Sequence, residues 1–537
     1  MNELSNKADH GAACFVRNVI VPLIPVLLVL LYAFKACLDA QLRIAGTPGF
    51  AMDDAWIHVA VARNFASGQG WGVVPGKTLS VSTSPSWTLF LSFFFLFFTN
   101  PVKITLLCSF FCMATAAVFC YLLALRLSEN RILAVIAAII MVISPISLWG
   151  LASGLELPLS LASLMLALFL YYEFEPFSRV RLIAVPTAIA FAAITRPELF
   201  VLIPIALLDT LYSNFRKNPR PWRFLAVQLI VFAVALTPYF AFNIYSHGRI
   251  FPATYYAKTI VRGVGLAAAV STESPRLIQR ALIGEPLRQF SLLIEALKNE
   301  NMVMLLLLSI GALLFSSQYS NRATRRGLLL PLALLIVPYA MGVSSPSRFM
   351  SNHAGRYYVI FPPMMILLGC LGLKFLTQHL KLRALAIFAC LAAIWVSYRS
   401  MPATLKHIGI DAESTQRLYV EMPLWIRDNL DPQAVLAVND IGGLAYFTRR
   451  DMIDVMGLAT PEIWPALFRR PKQILDVAKM RRFLKSRGVN YVILSPKYYP
   501  KLTNDKKTFE PLREWRESYK HGRIISPQVL YRVHWND

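Results

Sequence analysis

Long apolar stretches recur along the first 400 residues, and they restrict the fold of this chain more than any other feature of its sequence. They lie at residues 19–38, 86–98, 102–126, 131–149, 155–172, 181–195, 198–212, 222–245, 301–316, 327–343, 357–376 and 384–400. A helix needs about 20 apolar residues to cross a bilayer core. The 537 residues are 56% hydrophobic and only 16% charged, which excludes a disordered chain and is unusual for a soluble enzyme. The sequence therefore predicts a polytopic α-helical membrane protein.

The distribution of basic residues predicts how the chain is threaded. Cytoplasmic loops are enriched in Lys and Arg. The basic loops share the side of the N-terminus only if the short stretch 86–98 does not span. These loops are "RLSENR" (126–131), "FSRVR" (177–181), "FRKNPRPWR" (215–223), "NRATRR" (321–326) and "KLR" (381–383). We therefore predict about 11 transmembrane helices, with 86–98 lying along the outer leaflet or re-entering it.

This threading predicts a location for each end of the chain. The N-terminus lies in the cytoplasm, and the loop 39–101 and the C-terminus lie outside. Residues 19–34 follow a basic lead-in but no small-residue cleavage site, so we expect a retained first helix rather than a removed signal.

The net charge of +24 is best explained by the membrane. In a soluble protein it would suggest nucleic acid, but no nucleic-acid motif is present, and basic loops both set topology and contact anionic lipids. The seven cysteines lie almost entirely in or beside apolar segments and lack metal-ligand spacing with histidines. We therefore expect membrane lipids as partners, no nucleic acid, no disulfide framework and no zinc site.

The final 137 residues differ in character from the rest. Helix-like pieces such as "KMRRFLKSRG" alternate there with strand-like pieces such as "AVLAVND", "NYVILS" and "VLYRVHW". This pattern predicts a small, soluble α/β domain at 401–537, outside the membrane, after a membrane domain at 1–400.

Two adjacent acids, Asp53 and Asp54, follow the first apolar stretch. An ionisable group close to a membrane is a functional candidate by default. The alternative is a solvated turn or a helix N-cap, with Asp53 capping a helix that starts near Ala55.

The residues around these acids carry a resemblance. They read "DDAWI" (53–57), "ARN" (62–64), "GQG" (68–70), "PG" (75–76) and "TSPSWT" (83–88). Further pieces follow in order: "SGLELPL" (153–159), "TRPE" (195–198), "HGRIFPATYYAK" (247–258), "RYYVIFPP" (356–363) and "DIGGLAYFTRRDMIDVMGLATPE" (440–462). This series resembles the C-type (GT-C fold) membrane glycosyltransferases, and most closely their bacterial polyprenyl-phosphate-dependent arabinofuranosyltransferase-like members. The chain departs from the pattern at Ala60, where the family often has Arg, and at Ala253, where it often has Asn.

The resemblance implies a function. Such enzymes move a sugar from a polyprenyl-phosphate donor to an acceptor hydroxyl on the outer face of the bacterial inner membrane, and the resemblance implies the same location for this chain. The family places its base at the first acid after the first span, which here is Asp53, with Asp54 as the alternative or as an orienting neighbour. Two close acids also couple their titrations, which raises one pKa. The sugar favoured by the resemblance is arabinofuranose, and the acceptor is an envelope glycan, a lipid or a protein.

The leaving phosphate needs cationic groups, and the sequence offers several. The candidates are His58, Arg63, Lys258, His353 and Arg356. Each has a second interpretation: Arg63 faces solvent or pairs with Asp54, Lys258 extends to lipid head groups, Arg356 anchors a span, and His353 is a loop residue. His58 is included because it can replace the contact missing at Ala60.

Other polar residues on the predicted outer face have weaker cases. Glu156, Arg196 and Glu198 form either a structural ion-pair set or a substrate contact. Asp440 and Asp454 suit turns and caps better than chemistry. The aromatic residues of this face suit sugar stacking and an interfacial belt equally; they are Trp56, Trp71, Trp87, Tyr255 and Tyr256.

Paired acids can hold a divalent cation, but relatives with monophosphate donors resemble this chain more, so we expect no required metal or other cofactor. Two alternatives to a transferase are a transporter or flippase of a lipid-linked sugar and a non-catalytic membrane scaffold. A transporter would favour ionisable groups at mid-membrane and repeat-related spans, and the sequence offers neither.

Overall fold

The computed structural model describes residues 16–174, 178–215, 221–260, 270, 275–299, 329–344, 355–378, 381–467, 476–516 and 527–535. The predicted span 301–316 lies outside these residues. The helices up to residue 260 are α1 (Val21–Ala45), α2 (Asp53–Ala66), α3 (Pro85–Phe95), α4 (Pro101–Ser128), α5 (Arg131–Ile143), α6 (Pro145–Ser153), α7 (Leu157–Glu173), α8 (Arg179–Thr195), α9 (Leu202–Phe215), α10 (Pro221–His247) and α11 (Ala253–Ile260). The later helices of the apolar part are α12 (Pro275–Gln279), α13 (Glu285–Asn299), α14 (Leu329–Ser344), α15 (Phe361–Gln378) and α16 (Arg383–Gln416).

Five helical segments of the described residues are long and apolar enough to cross a membrane. They are Val21–Ala45, Pro101–Ser128, Trp222–His247, Phe361–Gln378 and Arg383–Asn429. Helices α5 and α6 meet at an angle of 55° and make a sixth if the bent pair is one span. The protein is therefore helical with several apolar helices, and the total of about 11 spans stays a prediction.

Helix α3 is much shorter than a membrane is thick. Its 11 residues extend about 16 Å at 1.5 Å per residue, roughly half of a bilayer core. The helix begins at Pro85, which is favourable in a first turn. The next helix, α4, begins after Asn100, whose side chain accepts a hydrogen bond from the N–H of Lys103. The length of α3 agrees with a segment that does not span.

The extended segment before α2 is fixed by contacts with the end of α6. Phe50 is fully buried and its ring centroid lies 4.7 Å from that of Trp56. The N–H of Ala51 donates to the carbonyl of Ser153 at 3.1 Å. Gln41 donates from its side chain to the carbonyls of Gly49 and Ala152, at 2.9 and 3.2 Å. These contacts hold the residues that immediately precede Asp53.

The C-terminal part contains a five-stranded mixed sheet. Its strands are β1 (Leu436–Val438), β2 (Met452–Asp454), β3 (Tyr491–Leu494), β4 (Phe509–Trp515) and β5 (Gln528–Val533), in the order β2-β1-β3-β5-β4. Strand β1 pairs in parallel with β2 and β3, while β5 is antiparallel to β3 and β4. The helices here are α17 (Met422–Asn429), α18 (Gly442–Thr448), α19 (Trp464–Leu467), α20 (Val477–Ser486) and α21 (Pro500–Thr503).

Short 3₁₀ and π-helical segments connect several of these elements. The 3₁₀ segments are Pro197–Val201, Arg356–Tyr358 and Pro461–Ile463. The π-helical segments are Val16–Ile20, Arg280–Gly284 and Arg417–Glu421.

The sheet shares a hydrophobic core with α2. Ile57 and Val61 of α2 pack in one cluster with Leu436, Val438 and Leu444. Helix α16 also continues without a break across residue 400, where the sequence suggested a boundary, and ends at Gln416. The strand-bearing part therefore sits directly on the helix that carries the two acids.

We expect Gly154→Ala to lower the midpoint of thermal unfolding more than Gly46→Ala does. Both glycines have positive φ, +80° and +74°, so alanine is strained at either position by about 1–2 kcal/mol. At position 154 the new Cβ would also lie 2.3 Å from Cδ1 of Phe50, whereas no atom lies within 4 Å at position 46. Such overpacking adds about 1–3 kcal/mol. Unfolding in detergent, followed by tryptophan fluorescence, measures the difference, and equal shifts would contradict the role given to Phe50.

Candidate active site

Asp53 lies between the helical part and the sheet, and backbone N–H groups hold both of its carboxylate oxygens. The N–H of Gly442 donates to Oδ2 at 2.8 Å and that of Gly443 donates to Oδ1 at 2.7 Å. Asp53 is the first residue of α2, and its side chain is not a cap of that helix. It binds instead the start of α18, where the first N–H groups lack partners within the helix and carry partial positive charge.

The two glycines are required by close packing at this contact. A Cβ on Gly442 would lie 2.3 Å from the backbone oxygen of Asp53. A Cβ on Gly443 would lie 2.1 Å from the backbone oxygen of Tyr419. Both distances are far below those of real Cβ contacts, so a larger residue at either position would displace α18 from Asp53.

The surroundings of Asp53 make it a stronger base than an ordinary carboxylate. Asp53 is only 7% exposed. Burial, together with the negative charges of Asp440 and Asp54, raises its pKa well above the usual range, while the two glycine N–H groups oppose this effect. Desolvation and like charge both favour the protonated form, and here they outweigh the hydrogen bonds.

Asp54 has a different environment, because it forms an ion pair. Its Oδ2 lies 2.9 Å from Nη2 of Arg356. The Asp54 side chain is 32% exposed and the Arg356 side chain 11%. The two neighbouring acids are therefore distinct: one is buried on backbone donors, and the other is partly exposed on an arginine.

Arg356 keeps donor capacity beyond its ion pair. Nη2 also donates to the hydroxyl of Tyr357 at 3.1 Å, and Nη1 contacts Sδ of Met52 at 2.8 Å. Its Nε is buried and has no hydrogen-bond partner among the described residues. Burial alone would lower the pKa of Arg356, but Tyr357, Asp54 and Glu156 outweigh it and raise the pKa, so the guanidinium stays charged.

Glu156, Arg196 and Glu198 form a buried ion-pair set, as one of the two sequence interpretations held. Nη1 of Arg196 lies 2.8 Å from Glu156 Oε1, and Nη2 lies 3.0 Å from Glu198 Oε1. Burial would raise the pKa of Glu156, but the hydrogen bond from His58 and the charge of Arg196 outweigh it and lower the pKa to about 2. The charges of this set are thus compensated internally.

His58 lies at the edge of this ion-pair set. Its Nε2 is 3.5 Å from Glu156 Oε2, and its Nδ1 is 3.1 Å from Ser82 Oγ and 3.2 Å from Thr88 Oγ1. The ring is 3% exposed. His58 is therefore fixed inside the protein by side chains of the loop before α3, of α3 and of the turn before α7.

Tyr357 connects the ion-pair set to the acidic pair. Its ring centroid is 5.0 Å from Cζ of Arg356 and 5.5 Å from Cζ of Arg196. Seven sequence candidates thereby meet in one connected cluster. They are Asp53, Asp54, His58, Glu156, Arg196, Glu198 and Arg356.

Arg63 joins α2 to α18 instead of lying beside Arg356. Its Nη1 donates to the carbonyl of Tyr446 at 2.7 Å, and its Cζ lies 4.2 Å from the centroid of that ring. Trp56 packs at the same contact, against Tyr446 and Phe447. Both residues therefore attach the sheet-bearing part to α2.

Two further candidates cannot be placed. His353 lies outside the described residues. The backbone of Lys258 belongs to α11, and its side chain lies outside the described part of the chain.

Sequence reasoning missed the part played by Gly442 and Gly443. The signal was present, because the Gly-Gly pair follows closely on the end of a predicted strand and begins a helix, an arrangement that exposes backbone N–H groups.

Among the described residues, no group of three or more His, Cys, Asp or Glu side chains is arranged to hold a metal ion. Metal independence stays a prediction.

The overall structure resembles known membrane glycosyltransferases. ArnT from Cupriavidus metallidurans bound to undecaprenyl phosphate matches with a TM-score of 0.55 and 12% identity over 95% of this chain and 97% of that chain. Its apo state matches with a TM-score of 0.55 and 13% identity over 94% and 97%. The Archaeoglobus fulgidus oligosaccharyltransferase, tethered to an acceptor peptide, matches with a TM-score of 0.53 and 13% identity over 95% and 76%.

These likenesses establish that the chain has the GT-C fold. The sequence comparisons add less. Residues 407–532 match a family described as a domain of unknown function, DUF8728. No curated protein matches the sequence.

We expect Asp53→Ala to speed hydrogen exchange at the amides of Gly442 and Gly443. Both N–H groups would lose their acceptor, and a hydrogen bond to a charged group contributes about 1.5–3 kcal/mol, or about tenfold or more in exchange rate. Asp54→Ala is the matched control, since it removes the neighbouring carboxylate and neither of these bonds. Hydrogen–deuterium exchange of the peptide over residues 440–446 measures both variants. Equal exchange in the two variants would remove Asp53 as the anchor of α18.

Proposed function

We propose that this protein is a membrane glycosyltransferase that moves a sugar from a polyprenyl-phosphate donor to an acceptor hydroxyl at the non-cytoplasmic face of the inner membrane. The observation that carries the proposal is that a buried carboxylate, Asp53, lies one residue from the partner of a buried cation with spare donor capacity, Arg356. Asp54 joins the two, because it follows Asp53 in the chain and binds Arg356. Glycosyl transfer to a hydroxyl needs these two functions side by side.

Asp53 acts as the general base in this proposal. Its carboxylate takes the proton of the acceptor hydroxyl as the hydroxyl oxygen forms a bond to the anomeric carbon. The bond from that carbon to the donor phosphate breaks in the same displacement, which inverts the anomeric carbon. Asp54 is a weaker candidate because its carboxylate is already engaged in the ion pair with Arg356.

Arg356 receives the leaving group. The polyprenyl phosphate departs with negative charge, and a guanidinium offers a planar pair of donors to phosphate oxygens. The buried Nε has no partner among the described residues, and a phosphate oxygen would satisfy it. Asp54 orients the guanidinium through Nη2. Because Arg356 supplies the positive charge, the reaction proposed here requires no metal.

The likeness to ArnT supports the class of donor, since that protein is described as bound to undecaprenyl phosphate. The finer assignments rest on the sequence alone. We propose arabinofuranose as the first sugar to test, with an envelope glycan, lipid or protein as acceptor. A mycobacterial arabinofuranosyltransferase, AftD, matches with a TM-score of only 0.46 and does not bear on this choice.

We expect Asp53→Asn to reduce sugar transfer by about 10²–10⁴-fold, the usual contribution of a general base. Binding of the donor should persist, because Arg356 is unchanged. Transfer by the wild type should also fall as pH decreases through the raised pKa of Asp53, since only the deprotonated carboxylate accepts a proton. The assay is transfer from a synthetic polyprenyl-phosphate sugar by purified protein, with and without chelator.

The control for this assay is Asp451→Asn, which removes an exposed carboxylate that pairs with Lys77 on the surface. It should leave transfer unchanged. Normal turnover by Asp53→Asn would refute the assigned base, and loss of wild-type activity with chelator would refute metal independence. If the wild type transfers no sugar from any donor, the result would favour the transporter and scaffold interpretations over the transferase.

We expect Arg356→Gln to weaken donor binding by about 10–100-fold, the value of one or two hydrogen bonds to a charged group. Arg356→Lys should restore only part of the affinity, because an ammonium is a point charge without the planar fork. Arg126→Gln is the matched control: Arg126 is a half-exposed arginine paired with Glu173. Titration with polyprenyl phosphate alone isolates the phosphate contact. Undiminished binding by Arg356→Gln would refute it.

A further inference from the structure

Asp440 is held in one orientation by side chains from other elements. Its Oδ2 accepts a hydrogen bond from the hydroxyl of Tyr419 at 3.1 Å and from Nε2 of Gln528 at 2.8 Å. Tyr419 lies in the π-helical turn Arg417–Glu421, and Gln528 begins β5. A carboxylate with two side-chain donors from separate elements has little freedom to rotate.

This arrangement does not serve a turn or a helix cap, which is what the sequence suggested for Asp440. The N-cap residue of α18 is Ile441, which makes no side-chain capping bond, and the first two N–H groups of that helix donate to Asp53 instead of Asp440. Asp454 provides the contrast, because it has the expected turn role: its carboxylate accepts from the N–H groups of Met456, Leu458 and Ala459. Asp440 therefore needs another explanation.

The polar residues that support Asp440 meet at one edge of the sheet. In register, Val438 pairs with Ile493 and Leu494 pairs with Val529, so Asp440, Ser495 and Gln528 lie in a row at that edge, with Asn439 directly before Asp440. The side chains of Asn439 and Gln528 both hydrogen bond to Asp440. Their carbonyl oxygens, Oδ1 and Oε1, are buried without partners among the described residues.

Unsatisfied buried acceptors destabilise a fold and are rare in native proteins. Two of them here result from turning amide N–H groups toward a single carboxylate. The orientation of Asp440 is thus maintained at the expense of stability, which is typical of a functional rather than a structural group.

Asp440 lies close to the carboxylate of Asp53. It precedes by two residues the glycine whose N–H binds Asp53, and the two carboxylates repel each other electrostatically. We propose that Asp440 is a positioning residue of the reaction centre, whose fixed negative charge acts on the base Asp53, so that the region 407–532 completes the active site. This inference rests on the proposed function and assigns a role to a region that matches a domain of unknown function.

The physical effect of Asp440 on Asp53 has a definite sign. The groups around the two carboxylates are Asp54 from α2, Tyr419 from the π-helical turn, Asp454 from β2, and Arg356, which binds Asp54. Burial raises the pKa of Asp440, and the hydrogen bond from Tyr419 opposes this rise because it stabilises the ionised carboxylate. An ionised neighbour raises the proton affinity of Asp53, which makes Asp53 the better proton acceptor.

The test is the pH dependence of kcat for sugar transfer by the full-length protein, wild type beside Asp440→Asn. Without the neighbouring charge, the pKa of Asp53 falls. We therefore expect the acid limb of the variant to move to lower pH by about one unit, with a lower kcat on the plateau and unchanged binding of polyprenyl phosphate. Asp440→Glu keeps the charge and should retain the wild-type limb. Asp451→Asn controls for loss of an acid elsewhere in the same region.

Asp440→Ser is the second variant, in case an amide N–H turned toward Gln528 prevents Asp440→Asn from folding. It removes the same charge, and the same shift is expected. An active wild type with an unmoved acid limb in a folded charge-removing variant would overturn the role of Asp440 and leave the proposed function intact. A wild type that transfers no sugar from any donor would overturn both.

Discussion

The contact between the Asp53 carboxylate and the N–H groups of Gly442 and Gly443 is the interaction on which the arrangement of the site depends. It joins residues almost 400 positions apart and is the point where α2 meets the strand-bearing part. The apolar face of α2 packs against β1 and α18 around the same point, so burial of Asp53 and docking of the sheet are one structural event. Neither glycine tolerates a Cβ at these distances, which explains why this pair is needed at the end of β1.

A comparison of Asp53 with Glu156 shows what decides the chemistry of a buried carboxylate. Both are 7% exposed, yet the pKa of Asp53 is raised and that of Glu156 is lowered to about 2. Glu156 has Arg196 and His58 within contact distance, whereas the charged neighbours of Asp53 that act on its pKa are the acids Asp440 and Asp54. Desolvation raises the pKa of both carboxylates. The opposite directions of their net pKa shifts come from the sign of the neighbouring charges. By this criterion the charge of Glu156 is compensated by its partners, whereas Asp53 is suited to accept a proton.

Much of this could be predicted from the sequence, because it depends on local pattern. Apolar length indicated the helices, alternation indicated strands β1, β3 and β5, and seven of the ten candidate residues meet in one cluster. The rest depends on contacts between distant segments. The sequence suggested phosphate, solvent or Asp54 as the partner of Arg63, whereas Arg63 donates to the carbonyl of Tyr446, which is 383 residues away. The boundary at 400 stays a prediction: it was placed where the composition changes from apolar to polar, and α16 stays helical across that change.

The predicted position of the acids at a membrane surface meets two opposing requirements. A carboxylate must lose water to become a good base at neutral pH, but within hydrocarbon its ionised form is too costly. A helix at the membrane surface with no protein over it leaves its carboxylates in contact with water, as the partly exposed Asp54 of α2 illustrates. A cover made of protein satisfies both requirements, because it excludes water while presenting backbone N–H groups and fixed side chains. The strand-bearing region provides this cover over Asp53, and it also brings Asp440. On this argument the region acts on the reaction centre directly, and its chemistry cannot be separated from that of the helices beneath it.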